Sequence, residues 1–231
     1  MQDTASPGSI MAPTPDILPV SPVARLPQKP AEQEAAIQAV LDGAAFAGAR
    51  GWVPATSGNF SARIDAGSIA ITATGTDKAR LTRDDIITLS LDDPAHPRAS
   101  AEAPLHVDLY RAFPEIGAIF HVHSPAATLL SLVDASKGEV RIQGFELQKA
   151  LAGVKTHEVA LDIPVFANSQ DMAVLGPQVL ARLGDAPAVP GYLLAGHGLY
   201  AWGRTPAEAR RHLEALEVLL GFEFERRRLQ P

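Results

Sequence analysis

Residues 118–130 read AIFHVHSPAATLL. Ala118 to Val122 is an apolar run of strand length. Ser124 and Pro125 then open a helix, the serine as a side-chain cap and the proline where a missing N–H does no harm. A buried strand that runs straight into a helix places the chain among mixed α/β folds. The same stretch sets His121 and His123 two positions apart. On a strand, both imidazoles leave from one face. Val or Ile would pack better there. Such a pair is either an ordinary couple of core or surface histidines, or two nitrogen ligands presented to one metal ion.

The neighbouring segments fit the same fold class. AEQEAAIQAVLDGAAFAGAR, residues 31–50, is predicted helical, with Ile37, Val40, Leu41 and Ala44 at helical spacing and Gly51 as its stop. NFSARI and SIAITAT alternate as two strands around a DAG turn. TRDDIITLSL reads as a helical turn leading into a strand. SAEAPLHVDLYRAF, residues 100–113, reads as a helix with Ser100 as N-cap. GFELQKALAG is predicted to be a short helix ending at Gly153, IPVFA a strand, and QDMAVLGPQVLARLG a helix. GYLLAGHGLYAWG reads as two strands joined around Gly196-His197-Gly198. The last helix opens on TPAE, a capping box from Thr205 to Glu208, and carries Leu213, Leu216 and Leu220 on one face. No internal repeat interrupts this order. The pattern predicts an α/β domain whose central sheet is mostly antiparallel and flanked by helices.

Composition narrows the chemistry. A chain of 231 residues, 46% hydrophobic and 20% charged, is ordinary for a soluble globular protein. Its formal net charge of −6 argues against a nucleic-acid partner. With no cysteine there is neither a disulfide framework nor a thiolate site, so a transition metal must use histidines and carboxylates. No apolar run approaches the roughly 18 residues of a membrane span. Residues 1–30 are rich in Pro, Ser and Ala and without periodicity. They are expected to be a disordered tail, with Met11 as an alternative start. They lack the pattern of a signal peptide, and a cytoplasmic location is expected.

His197, bracketed by two glycines, is the third candidate ligand; alone it would pass for a loop histidine in a tight hairpin. Three neutral imidazoles leave the charge of Zn²⁺ uncancelled and coordination positions open, which suits a catalytic site. Mn²⁺, Co²⁺ and Fe²⁺ would be accepted by the same donors. His106 and His212 on helices, and His96 and His157 in loops, read as surface or helix-face residues. Glu102, in the first turn of its helix, is either a dipole-favoured surface carboxylate or a proton carrier. Glu146 lies between Phe145 and Leu147. An apolar setting would raise its pKa and suit it to general acid/base work; otherwise it is one more polar position on an amphipathic helix. TSGNFS and TATGTDK put glycine beside small hydroxyl and amide side chains, and turns of that kind cradle phosphates. Ser100 at a helix start and the charge of Lys78 would add to such a site. Each of these pieces alone is only a turn.

SGNFSARI, TATGTDKARLT, SAEAPLH, FHVHS and GHGLYAWG, in that order, resemble the class II aldolase/adducin family. The likeness extends over residues 31–229. SAEAPLHVDLYRAFPEIGAIFHVHS, GFELQKALAG and RHLEALEVLL are most similar to its methionine-salvage dehydratase branch. The resemblance implies a three-layer α/β/α catalytic domain over residues 31–231 and one zinc per subunit on His121, His123 and His197. It implies a homo-oligomer, usually a tetramer, with active sites near subunit interfaces. Glu146 occupies the position of the dehydratase acid/base, whereas in related aldolases the acid/base matches Glu102. Asn59, Thr74, Gly75 and Ser100 match phosphate-binding positions. Ala101 departs from the aldolase pattern, where a second serine would stand. The implied reaction is the dehydration of a small sugar phosphate, 5-methylthioribulose 1-phosphate. A sugar-phosphate aldolase, a 4-epimerase and a non-catalytic adducin-like interaction domain are the alternatives.

Overall fold

The computed structural model describes residues 29–184 and 187–230. The chain enters on helix α1 (Lys29–Gly48). A hairpin follows, of β1 (Asn59–Asp65) and β2 (Ser68–Thr72), closed by the Asp65 carboxylate, which accepts from the Gly67 N–H and the Ser68 hydroxyl. After β3 (Ile86–Ser90) come α2 (Ala103–Ala112), β4 (Ala118–Val122) and α3 (Pro125–Val133). The Ser124 hydroxyl caps α3 by accepting from the Ala127 N–H. The second half holds β5 (Glu139–Ile142), β6 (Leu161–Phe166), α4 (Met172–Leu183), β7 (Gly191–Leu194), β8 (Gly198–Gly203) and α5 (Pro206–Leu229).

The strands form one eight-stranded sheet in the order β3-β2-β1-β4-β8-β7-β6-β5. Only β6 and β7 pair in parallel; the other neighbours are antiparallel, as expected. Strand alternation sends Phe60, Phe120, Val122 and Leu199 to one face, where they pack with Val40 of α1 and Leu216 of α5. Ile119 and Tyr200 point to the other face, against Leu105 and Leu109 of α2 and Leu175 of α4. The result is the three-layer α/β/α arrangement.

Several local readings need correction. α1 starts at Lys29, two residues before the predicted helix; residues 1–28, expected to be a disordered tail, lie outside the described residues. Strand β5 was not read from the sequence. Four residues alternating Glu-Val-Arg-Ile at a sheet edge carry too little periodicity to stand out. Ser100 does not cap α2. The turn from Ser100 to Ala103 precedes the helix, and Glu102 takes the N-cap position without a side-chain cap. The GFELQKALAG segment is a single 3₁₀ turn, Glu146–Ala150, pinned by Gln148, which accepts from the Phe145 N–H and donates to the Val159 carbonyl. At α5, Thr205 accepts from the Glu208 N–H, but the Glu208 carboxylate reaches back to the Arg204 N–H, so the capping box is only half formed. No helix among the described residues is long and apolar enough to cross a membrane.

Candidate active site at a cluster of three histidines

Register places the site. Asn59 on β1 lies opposite His121 on β4, and His121 lies opposite Tyr200 on β8. The three side chains form a row across one face of the sheet. His123 follows one pleat later, where β4 ends. The β7–β8 connection delivers His197. Gly196 takes φ 65°, which glycine accepts without penalty. A Cβ on Gly198 would fall 2.0 Å from the Val122 carbonyl oxygen, so only glycine lets β8 lie against β4 at this point. The Thr128 hydroxyl of α3 donates to the His197 carbonyl, and Ser131 accepts from the Gly196 N–H.

The three imidazoles converge. His121 Nε2 is 2.9 Å from His123 Nε2 and 3.3 Å from His197 Nε2. His121 Nδ1 lies 3.0 Å from the Leu199 carbonyl, and His197 Nδ1 3.2 Å from the Asn168 amide oxygen. Each acceptor holds the proton on Nδ1 and leaves Nε2 bare. Bare nitrogens at this spacing repel one another unless a cation lies between them. Tetrahedral zinc, with Zn–N near 2.0–2.1 Å, would set its nitrogens roughly 3.3 Å apart. The donor set therefore fits a divalent metal ion. Burial pushes the His121 imidazole well below its usual pKa; burial and the neighbouring His197 push His123 down to about 4. Burial thus keeps His121 and His123 neutral, as ligands must be.

Glu102 completes the centre. Its Oε1 is 3.0 Å from His197 Nε2, and its Oε2 is 3.5 Å from His121 Nε2. Oε2 also accepts from the Asn59 amide at 2.6 Å and the Tyr200 hydroxyl at 3.2 Å. Burial pushes this carboxyl up. The neighbouring His197 and His121 imidazoles and the Asn59 amide outweigh it, and the carboxyl is held well below the usual carboxylate range. The Tyr200 ring stacks on His121 at 3.9 Å, and Tyr192 stacks on Tyr200 at 4.8 Å.

Beside the three histidines lies a cavity of about 180 Å³, bounded by Thr74, Gly75, Lys78, Ser100, Glu102 and His123. The TSGNFS and TATGTDK loops thus meet at one place, although the β1–β2 hairpin separates them in the chain. The first is strained: Ala55 and Thr56 are left-handed at φ 51° and 65°, and strain of this kind gathers at functional sites. Ser57, also on the wall, has a buried hydroxyl with no hydrogen-bond partner among the described residues. Lys78 is buried, and its ammonium donates to the Thr56 and Thr76 carbonyls, leaving one proton for a ligand.

The structure brings His121, His123, His197, Glu102, Thr74, Gly75, Ser100 and Lys78 together. Asn59 is present too, lining the cavity, with one amide proton on Glu102 and its amide oxygen on His106. Glu146 is elsewhere. Its side chain is 69% exposed, pairs with Lys149 and His157, and does not line the cavity. The apolar setting and raised pKa expected for it are absent; the Lys149 hydrogen bond pulls its carboxyl down instead. Phe145 and Leu147 turn toward the core while the short helix turns Glu146 outward. Sequence reading missed Tyr200, Asn168 and Ser57, and it took His106 for a helix-face residue. Only the spacing of His106, four positions after Glu102, hinted that the two share a face.

Residues 38–223 match the sequence family described as the class II aldolase and adducin N-terminal domain. A methylthioribulose-1-phosphate dehydratase of Parvibaculum lavamentivorans is 55% identical over 185 residues, covering 80% of this chain and 91% of that protein. The dehydratase of the same name from Stenotrophomonas maltophilia is 53% identical over 196 residues, 84% of this chain and 92% of its own. Among solved structures, the L-fuculose-1-phosphate aldolase of Thermus thermophilus superposes with a TM-score of 0.69 at 28% identity, over 84% of this chain and 96% of the aldolase.

Proposed function

The chain belongs to the class II aldolase and adducin family, and we propose that it is the hydro-lyase that removes water from 5-methylthioribulose 1-phosphate in methionine salvage. The product is 5-methylthio-2,3-dioxopentyl phosphate. The observation that carries this reading is a carboxylate seated against three convergent imidazoles at the wall of a cavity lined by phosphate-type loops. Its partner in sequence space is a set of dehydratases more than half identical to this chain.

His121, His123 and His197 would hold one zinc ion per subunit. Zinc bound there supplies a Lewis-acid charge that polarises an oxygen and makes the neighbouring C–H more acidic. Thr74, Gly75, Ser100 and Lys78 hold the substrate phosphate and so fix the sugar in register. Glu102 accepts the C3 proton. The C4 hydroxyl leaves with a proton as water, and the resulting enol becomes the C3 ketone as C4 gains a proton. Glu146 is the donor that the family resemblance assigns to the C4 hydroxyl. It does not line the cavity of its own chain, so that role requires delivery from a neighbouring copy in a homotetramer. Leu132 and Val133 of α3, 59% and 67% exposed, lie on the helix that holds the His197 loop and favour a subunit contact close to the site. Such an enzyme would work in the cytoplasm.

The test is product analysis by mass spectrometry with zinc-loaded protein. A product lighter by one water, lost on chelation and restored by Zn²⁺, supports the dehydratase. Two smaller fragments would make it an aldolase on the same centre. For the two glutamates, Glu102→Gln and Glu146→Gln are each expected to lose activity with zinc retained. Mixed oligomers of the two variants should regain activity, because some cavities then hold both carboxylates. Mixed oligomers as inactive as their parents would place both groups in one subunit.

A further inference from the structure

From the cavity a file of polar side chains runs inward between the sheet and α2: Glu102, Asn59, His106, Ser61 and Tyr110. His106 is fully buried. Its Nε2 makes a short contact with the Asn59 amide oxygen, and its Nδ1 lies 2.7 Å from the Ser61 hydroxyl. The Ser61 hydroxyl is in turn 3.0 Å from the Tyr110 hydroxyl. The direction of every bond follows from the first. The Glu102 carboxylate only accepts, so the Asn59 amide nitrogen must face it at 2.6 Å. The amide oxygen then faces His106, and Nε2 must carry the ring proton. A neutral imidazole has a single N–H, so Nδ1 is bare and takes the Ser61 proton. The Ser61 oxygen takes the Tyr110 proton. Reversing one link would set two donors or two acceptors face to face in a buried place, which is costly. Burial holds the His106 pKa down at about 4, consistent with one ring proton.

We propose that His106 is a positioning residue for the reaction, locking the Asn59 carboxamide in the orientation that grips Oε2 of Glu102 and leaves Oε1 toward His197 and the cavity. This rests on the reading of Glu102 as the group that takes the C3 proton. Ser61 and Tyr110 serve as the backstop that sets the His106 tautomer. The Asn59 side chain thereby belongs to the acid/base machinery.

The first experiment is a two-bond ¹H–¹⁵N spectrum of the zinc-loaded full chain labelled at histidine, with His106 assigned by its loss in His106→Gln. His106 should be protonated on Nε2, opposite to the metal-ligand pattern of His121 and His197. A proton on Nδ1, or on both nitrogens, would overturn the relay whatever the substrate proves to be. The second is kinetic. His106→Leu should lower kcat by roughly 10- to 100-fold, with KM and zinc content nearly unchanged. His106→Gln, whose amide N–H can still donate to Asn59, should regain most of that loss. Wild-type kcat in a folded His106→Leu, or no advantage of Gln over Leu, would overturn the proposal. If His106→Leu does not fold, Ser61→Ala removes only the donor to Nδ1; it should lower kcat and mix the two tautomers, and an unchanged spectrum and kcat would count against the relay. A wild-type enzyme inactive on 5-methylthioribulose 1-phosphate would sink the functional reading while the tautomer measurement still decides the relay.

Discussion

A group that moves a proton must sit within hydrogen-bond reach of it. Glu102 stands at the cavity wall of its own chain: Oε2 is held by Asn59 and Tyr200, and Oε1 is left beside His197. Glu102→Gln should lower kcat about 10²- to 10⁴-fold while zinc content stays at one per chain, read by steady-state kinetics and metal analysis. Lys78 is the one cation on the cavity wall among the described residues. Lys78→Met should raise KM for the phosphorylated substrate roughly 10- to 100-fold, the worth of a hydrogen bond to a charged group, with a smaller effect on kcat. An unchanged KM would remove Lys78 from the phosphate site. These roles were unevenly legible. Glycine and hydroxyl patterns pointed to the loops. The apolar neighbours of Glu146 suggested burial, but adjacent residues of a 3₁₀ turn do not share a face.

The hairpin of β7 and β8 shows how a short element places His197. Gly198→Ala would force a methyl group against the Val122 carbonyl and separate β8 from β4 beside His123. Overpacking of this kind costs about 1–3 kcal/mol, and for a chain of this length that lowers Tm by roughly 2–12 °C. Calorimetry should show the drop, and zinc content should fall with it. Helix α5 carries a second device. Glu217 is buried on α5, hydrogen-bonded to Ser124, with no partner for its Oε1 among the described residues. Burial pushes its carboxyl up to about 7 from 4.5. The protonated form is the one that the fold tolerates. Its stability is whole below pH 4.5 and is lost as the pH rises through about 7, roughly 3 kcal/mol in all. Glu217→Gln should therefore gain little over wild type near about pH 5 and clearly more near about pH 8 in urea unfolding. An equal difference at both pH values would show that Glu217 does not titrate in this range.

Metal binding at the three histidines would be linked to folding, because the imidazoles come from β4, its end and the β7–β8 turn and meet only in the folded chain. Free zinc at about 100 times its Kd should stabilise the protein by about 2.7 kcal/mol, a rise in Tm of roughly 5–10 °C that a chelator reverses. The same scan on a variant lacking His121 and His197 should show no such rise. If zinc shifts the wild type and this variant equally, the ion is binding elsewhere. Exposed apolar side chains on α3 and the outward Glu146 add a further expectation: subunit dissociation should lower kcat without releasing zinc.

Periodicity and local chemistry were enough to assign most of the elements, since hydrophobic spacing, caps and turn residues act over a few positions. The His-x-His strand, the Gly-His-Gly turn and the two small-residue loops were visible for the same reason. What those signals do not contain is the meeting of distant segments. The register of β1, β4 and β8 put Asn59, His121 and Tyr200 in one row. The packing of α2 on that face turned Glu102 toward the imidazoles and buried His106 behind Asn59. The 3₁₀ turn sent Glu146 away from its own cavity. Each of these outcomes depends on long-range packing, which sequence spacing does not encode, and each one decides which residues stand at the cavity.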